Sequence, residues 1–203
     1  MVGADDRYVS RDGQPAATAA RSPEEPDGRS VGRSGPDGQG GEGRLEFRPY
    51  ERYWEDFPPG TFVRTRGMTI TETHIVNWAN LAGDWLPLHV DHYVSATTPF
   101  RSVIAHGPLT IALALGLVIQ SGFFGDSVIA WLGLDEVRLP RPVLPGDTIY
   151  VTAEVLEQLE TSKPHRGRIV LRYDVTNQRG EQVLTCLSGF LMHRLEPVWD
   201  PAG

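Results

Sequence analysis

Residues 109–120 read LTIALALGLVIQ, and this run governs the architecture that the rest of the chain can adopt. Its only polar side chains are those of Thr110 and Gln120, and a helix that is apolar nearly all round is buried in a protein core. Pro108 before the run and Gly122 after it are ordinary signals for the start and the end of a helix. We therefore expect one helix over residues 109–120 that is buried on every side.

The chain after this helix has the pattern of an antiparallel sheet. Apolar and polar side chains alternate along residues 149–155 and 169–175, and Pro and Gly punctuate residues 140–147. Such alternation between turn residues is typical of an antiparallel meander with one covered face. We predict an α+β fold in which this sheet curls around the buried helix. The predicted strands are 128–139, 149–155, 169–175 and 182–193.

The chain before the helix has weaker signals. Residues 61–71 are rich in β-branched side chains and predict a weak strand. Thr71 or Thr73 can cap a second helix that runs to about Ala82 and stops at Gly83. Four apolar residues share one face of this helix at i, i+3, i+4, i+7 spacing: Ile75, Trp78, Ala79 and Ala82.

The composition of the 203-residue chain narrows the functional classes. Its formal net charge of −7 gives no reason to expect nucleic-acid binding, which normally requires a basic patch. The single cysteine, Cys186, cannot form an internal disulfide. No apolar run reaches the roughly 20 residues of a membrane span, and the first residues, MVGADD, do not resemble a signal peptide. We therefore expect a cytoplasmic protein without a membrane segment.

Residues 1–44 differ in composition from the remainder. They hold 9 of the 22 glycines and contain no Ile, Leu, Phe or Trp. Such a segment cannot bury enough apolar surface to offset the entropy of ordering it. We predict a disordered tail over 1–44 and a single domain over 45–203. The run GQGGEG at 38–43 fits a dinucleotide-binding pattern letter by letter, but without a flanking strand and helix we interpret it as low-complexity sequence.

The densest group of polar side chains lies in residues 83–92, GDWLPLHVDH, which we expect to form a loop after the predicted helix. Asp84 and His89 lie five residues apart across a turn stiffened by Pro87, so both side chains can converge on one small site. A carboxylate and an imidazole that share a water form a general acid/base pair. The alternative is that Asp84 caps a turn and His89 is a hydrogen-bonded, half-buried histidine.

Metal and nucleophile chemistry have less support. Residues 89–92, HVDH, resemble the end of the dinuclear motif HxHxDH, but Pro87 occupies the position of its first histidine. We therefore expect no metal site. Ser188 lacks the glycines of a nucleophile elbow, and Cys186 fits a packed strand residue. The remaining histidines show no paired metal-ligand spacing: His74, His106, His165 and His193.

Gly107 is a candidate of another kind, because it lies where the buried helix begins. The first N–H groups of a helix have no partner within the helix and attract negative charge, such as that on a thioester or enolate oxygen. Many helix starts leave these amides unused, so this signal alone is weak.

Three stretches occur in an order that points to one family. Residues 78–89 (WANLAGDWLPLH) are followed by Ser95 six residues after the histidine. Residues 100–107 (FRSVIAHG) enter the central helix, and residues 141–147 (RPVLPGD) form a proline-glycine-aspartate turn. Together these stretches, over about residues 50–194, resemble the MaoC-like (R)-specific enoyl-thioester hydratases.

This resemblance implies a hotdog fold, a sheet wrapped around a central helix, assembled as a homodimer or higher homo-oligomer. It implies that Asp84 and His89 hold and activate a water, and that the N–H of Gly107 polarises a thioester carbonyl. The implied reaction is the reversible hydration of a trans-2-enoyl thioester of coenzyme A or acyl carrier protein, without a cofactor. One departure is Leu86, where many members carry Asn, which bears on the orientation of Asp84 or on the acyl pocket.

Two other functions stay open at this point. A hotdog thioesterase typically carries a carboxylate on or near the central helix, where this chain offers only Thr110 and Gln120. A non-catalytic acyl-binding subunit is disfavoured by Asp84 and His89 and kept open by Leu86. The sequence does not distinguish coenzyme A from a carrier protein. Candidates for phosphate contacts are Arg138, Arg141, Arg166 and Arg168.

Overall fold

The structure is a computed structural model that describes residues 52–195. The predicted tail over 1–44 lies outside the described residues. Within them, no helix is long and apolar enough to cross a membrane. After a 3-10 turn at Trp54–Asp56, the helices are α1 (Glu72–Ala82), α2 (Pro87–Val90), α3 (His92–Ser95) and α4 (Gly107–Gln120). The strands are β1 (Phe62–Arg64), β2 (Met68–Thr69), β3 (Val128–Arg138), β4 (Thr148–Glu160), β5 (Arg166–Thr176) and β6 (Gln182–His193).

The strands form an antiparallel sheet in the order β1-β4-β5-β6-β3, and β2 also pairs with β4. In the middle of the sheet, Tyr173 of β5 lies opposite Ala153 of β4 on one side and Cys186 of β6 on the other. The predicted alternation is confirmed, and the predicted bounds of the last strand, 182–193, match those of β6. The apolar face of β4 is buried in the core: Ile149, Val151, Ala153 and Val155.

The central helix α4 packs on this sheet with one face only. The expectation that it is buried on every side is wrong for a single chain, since Ala112 is exposed and Ile119 is 62% exposed. The physical reason is that the sheet covers one face of the helix, and no other element among residues 52–195 covers the opposite face. The buried residues of α4 are Leu109, Thr110, Ala114, Leu117 and Val118.

The predicted helix before the polar run is confirmed as α1. Thr71 is its N-cap, and Gly83 ends it in the left-handed region with φ +73°, a conformation that glycine adopts without steric cost. Ala82, predicted on the apolar face, is exposed in the last turn. The other three residues of that face are buried or pack against the core: Ile75, Trp78 and Ala79.

The strand predicted over residues 61–71 is instead the two short strands β1 and β2. Between them the backbone comes so close to β4 that a Cβ on Gly67 would lie 2.7 Å from a ring carbon of Tyr150. Thr65 continues the connection through its side chain, because the N–H of Val151 donates to Thr65 Oγ1 at 3.0 Å. The continuous strand pattern is therefore interrupted by side-chain pairing.

Residues 83–92 were expected to form a loop, and that expectation is wrong, because they contain α2 and the start of α3. Pro87 begins α2, where its missing N–H would have no helical partner. Asp91 caps α3, since its Oδ1 accepts the N–H of Val94 at 3.0 Å. His89 therefore lies on a one-turn helix whose orientation is set at both ends.

Candidate active site

Three polar side chains from different elements meet at the N-terminal end of α4. Asp84 follows Gly83 at the end of α1, His89 lies on α2, and His106 directly precedes α4. One carboxylate oxygen of Asp84 and one nitrogen from each ring lie within 4.8 Å of one another. The structure thus brings together the predicted residues Asp84 and His89, and it adds His106 to them.

The His89 ring is held in one orientation. The residue is 8% exposed, and its Nδ1 lies 2.7 Å from the backbone oxygen of Ile104. A carbonyl oxygen only accepts, so Nδ1 donates and Nε2 keeps its lone pair. Burial lowers the pKa of His89, and His106 lowers it further, whereas the hydrogen bond to Ile104 and the charge of Asp84 act in the opposite direction. The resulting neutral imidazole can accept a proton from water.

The two oxygens of the Asp84 carboxylate have different surroundings. Oδ1 accepts the N–H of Leu86 at 3.3 Å, and Oδ2 lies 4.0 Å from Nε2 of His106. The side chain is 37% exposed, so water reaches it. Capping of the turn, the alternative considered from the sequence, therefore describes Oδ1 and leaves Oδ2 available for chemistry.

A cavity of about 290 Å³ lies beside His89, and Gly107 lines it as well. Gly107 is the first residue of α4, so its N–H has no acceptor within the helix, and the following Pro108 has no N–H. A Cβ on Gly107 would lie 3.1 Å from Cδ1 of Leu139 across the cavity wall. Asp84 lies beside the cavity and is not part of its wall. The walls are mostly apolar and include Phe100, Ile104, Ala105, Leu139, Pro140, Pro142 and Val143.

His106 is the site residue that sequence reasoning missed. The expectation that its spacing gives it no histidine partner is wrong, because its ring stacks on that of His89 with centroids 3.7 Å apart and planes inclined by 26°. Its Nε2 lies 3.0 Å from the backbone oxygen of Asp84. These partners are distant in the chain, so spacing could not reveal them. The signal that could have done so is its position in residues 100–107, directly before Gly107.

The group formed by Asp84, His89 and His106 was tested as a metal site, since its ligand atoms lie close enough together. The lone pair of an imidazole nitrogen lies in the plane of its ring. Two planes stacked at 3.7 Å and inclined by 26° do not meet within the ~2 Å of a metal–nitrogen bond. In addition, one nitrogen of each ring already faces a backbone carbonyl. The geometry therefore does not fit one ion shared by both rings.

The other candidates from the sequence occupy structural positions. Cys186 is buried in β6, and burial raises the pKa of its thiol to about 11, which disfavours a nucleophilic thiolate. Ser188 is buried in the same strand, where its Oγ accepts an indole N–H from β3 at 3.0 Å. Thr110 lines the cavity but donates to the backbone oxygen of His106 at 3.2 Å. Of the predicted phosphate contacts, Arg141 lines the cavity.

The antiparallel sheet with its single long helix is a hotdog fold. A conserved hypothetical protein of Mycobacterium tuberculosis, described as having a double hotdog fold, is structurally similar with a TM-score of 0.64 and 24% identity over 75% of this chain and 47% of that chain. Residues 56–177 match the family described as the MaoC like domain. The chain belongs to this family, and the predicted fold class and family resemblance are thereby confirmed.

Several similar proteins carry names of enzymes or of the family itself. Protein MaoC of Klebsiella aerogenes is 39% identical over 52% of this chain and 31% of that protein. The 3-hydroxybutyryl-CoA dehydratase of Methylorubrum extorquens is 29% identical over 65% of this chain and 78% of that protein. The R-hydratase PhaJ1 from Pseudomonas aeruginosa has a TM-score of 0.57 and 30% identity over 74% of this chain and 94% of that chain. The chain thus spans about a third of the first protein and most of the other two.

Proposed function

We propose that this protein is a hydro-lyase that reversibly hydrates a trans-2-enoyl thioester to a 3-hydroxyacyl thioester without a cofactor. The observation that carries the proposal is the convergence of the Asp84 carboxylate and the His89 imidazole beside a mostly apolar cavity that contains the Gly107 amide. Membership of the MaoC like domain family and similarity to a dehydratase and a hydratase support this reaction class.

The proposed reaction uses one water held between Oδ2 of Asp84 and Nε2 of His89, both of which accept hydrogen bonds. The water oxygen bonds to C3 of the substrate, and the π electrons of the C2–C3 double bond move toward the thioester carbonyl. The Asp84–His89 pair takes the proton that the water loses, and a proton delivered to C2 completes the product. The sum is addition of H and OH across the double bond; in reverse, C2 loses a proton and the hydroxyl leaves as water.

Negative charge develops on the thioester oxygen in both directions, and it needs a donor already in place. The N–H of Gly107 lies at the N-terminal end of the 14-residue helix α4, where the helix dipole also favours negative charge. Loss of one such donor typically lowers kcat by about 10²–10³-fold. Gly107 therefore supplies electrostatic stabilisation in the proposed mechanism, while Asp84 and His89 move protons.

The cavity favours an acyl thioester as substrate. Apolar walls, including Phe100, Leu139 and Val143, suit an acyl chain. The half-exposed guanidinium of Arg141 in the same wall offers positive charge for the phosphate that coenzyme A and carrier-protein thioesters share.

Leu86 does not remove the support of the catalytic carboxylate. Oδ1 of Asp84 is held by the backbone N–H of Leu86, which any residue except proline provides. The side chain of Leu86 is exposed and does not line the cavity beside His89. The departure from Asn at this position is therefore compatible with the proposed acid/base pair.

We further propose that the folding unit is the domain over 45–203 and that it assembles as a homodimer. The 11-residue strand β3 lies at the end of the sheet and exposes Trp131, and an edge strand has backbone groups that a second chain can pair. The exposed apolar flank of α4 at Ile119 gives a second uncovered surface. A second copy of the chain would bury both kinds of surface.

The proposed function is tested with crotonyl-coenzyme A by following the absorbance of the enoyl thioester. We expect the wild type to remove this absorbance without releasing free thiol, and Asp84→Asn and His89→Ala each to lower the rate by about 10²–10⁴-fold. The exposed residue His165 provides the control, because His165→Gln should keep the wild-type rate. Thiol release would favour a thioesterase. Binding without turnover, for both coenzyme A and carrier-protein substrates, would favour a non-catalytic subunit.

A further inference from the structure

We propose that His106 is a positioning residue that aligns the three groups of the reaction: it holds the backbone of Asp84, supports the ring of His89 and places Gly107 at the cavity. The inference rests on the proposed function, since it assigns a role within that site. Three independent contacts of His106 carry it.

The position of His106 in the chain is not explained by the needs of helix α4. It occupies the N-cap position, with φ −61° and ψ 140°, but its side chain makes no capping hydrogen bond. The residues that stabilise this position are Ser, Thr, Asp and Asn. The His106 side chain is instead 1% exposed and turned toward Asp84 and His89. Because burial of a polar ring is costly without partners, these contacts account for its presence.

The first contact fixes the backbone of Asp84. Nε2 of His106 lies 3.0 Å from the Asp84 carbonyl oxygen, which only accepts, so Nε2 carries the proton. This bond joins the chain after α1 to the start of α4, across 22 positions of sequence. It lies directly beside Gly83, whose left-handed backbone ends α1. The carboxylate of Asp84 therefore projects from a backbone that His106 holds in place.

The second contact limits the rotation of His89. The edge of the His89 ring is held by the hydrogen bond to Ile104 at 2.7 Å, and its face lies against the His106 ring at 3.7 Å between centroids. With edge and face both occupied, Nε2 of His89 keeps one direction. A misplacement of 1 Å in such a site can cost about 10²-fold in rate. The stacked ring therefore serves precision and not only stability.

The free nitrogen of His106 indicates that this residue positions groups and does not move protons. Nδ1 is buried and has no hydrogen-bond partner among the described residues. A second proton on this ring would create a buried N–H without an acceptor, which is costly. His106 is thus best accommodated as one fixed, uncharged tautomer. The third contact is covalent: the same residue leads directly into Gly107 at the cavity wall.

Two substitutions separate the contacts of His106. His106→Phe keeps a buried ring against His89 and removes the N–H that Asp84 accepts. His106→Gln keeps an amide donor near the position of Nε2 and removes the stacked ring. His165→Gln is the matched control, because His165 is exposed and lies between β4 and β5. Circular dichroism and thermal unfolding establish that each variant is folded.

The readouts are kcat and KM for crotonyl-coenzyme A, the pH profile of kcat/KM, and titration of the His89 ring by NMR. The charged or titratable groups that face His89 are Asp84 after α1, His106 at the start of α4 and Arg141 in the cavity wall. Since His106 lowers the pKa of His89, the acidic limb of the pH profile and the NMR titration should both move to higher pH in His106→Phe. A role limited to stability would not move them.

We expect His106→Phe to lower kcat by about 100-fold with KM changed by less than about threefold, and His106→Gln to recover about tenfold of that loss. A folded His106→Phe variant with kcat within about threefold of wild type would overturn the proposal. So would an unmoved titration of His89, which is also decisive if the wild type proves inactive. In that case a moved titration supports the positioning role and only the proposed function fails. If His106→Phe does not fold, His106→Gln gives the same two readouts.

Discussion

Replacement of Asp147 by alanine tests how the wall of the cavity is held. The carboxylate is buried, with 5% of its side chain exposed, in the turn that leads into β4. Its Oδ2 accepts the N–H of Leu144 at 3.0 Å, and its Oδ1 accepts from Gln178 at 2.8 Å and from Arg179 at 3.1 Å. Residues 139–143, directly before this turn, line the cavity. The carboxylate therefore joins the turn to the β5–β6 hairpin.

The magnitude follows from these three bonds. Alanine leaves the Leu144 N–H without an acceptor, at a cost of about 1–3 kcal/mol. The bond from the Gln178 amide to a charged oxygen contributes about 1.5 kcal/mol. The guanidinium of Arg179 is 53% exposed, so water largely replaces its interaction, which contributes about 0.5 kcal/mol. We expect a loss of about 3–5 kcal/mol, or a Tm lower by about 6–20 °C for a domain of this size.

The assay is thermal and urea unfolding of the full chain, followed by circular dichroism. Asp126→Ala is the matched control, because Asp126 is exposed in the turn before β3, and it should change stability by less than about 0.5 kcal/mol. Asp147→Asn should fall between the two, since its amide oxygen accepts and its NH₂ group opposes a donor. The reasoning is refuted if Asp147→Ala costs less than about 1 kcal/mol or cannot be distinguished from the control.

Two further predictions concern acid stability and assembly. Because folding lowers the pKa of His89 below its usual 6.5, its contribution to stability is fully present above about pH 6.5 and is lost as pH falls through the folded pKa. His89→Asn should therefore flatten the dependence of Tm on pH below about 6.5, and an unchanged dependence would contradict this. For assembly, Ile119→Arg places a charge on the uncovered flank of α4 and should convert a dimer to monomers in sedimentation velocity. A monomeric wild type, or a dimer unaffected by Ile119→Arg, would contradict the proposed interface.

The elements that were predictable from the sequence are those whose pattern is local. The alternation in residues 149–155 and 169–175 identified β4 and β5, because each strand has one face on the core. The helix signals at Thr71 and Gly83 identified α1 for the same local reason. The bounds of β6 were also predicted, since turn residues flank it on its N-terminal side.

The features that were not predictable depend on contacts between distant residues or on surfaces beyond one chain. The one-turn helices α2 and α3 have too few residues for a periodic pattern. The stacking of His106 on His89 requires the packing of α4 against the α1–α2 connection, which no spacing encodes. The exposure of Ile119 was missed because an apolar helix pattern does not say whether its own chain or a second copy covers it. The convergence of Asp84 and His89 was predicted, and their catalytic roles stay a proposal.

The central claim is that Asp84 and His89 act on the same water. The most direct measurement is the rate of crotonyl-coenzyme A hydration by Asp84→Asn, His89→Ala and the variant that carries both changes. Residues that act as one unit are strongly non-additive, so the double variant should be within about threefold of the slower single variant. If the two losses instead multiply, each residue acts independently and the shared-water account is wrong.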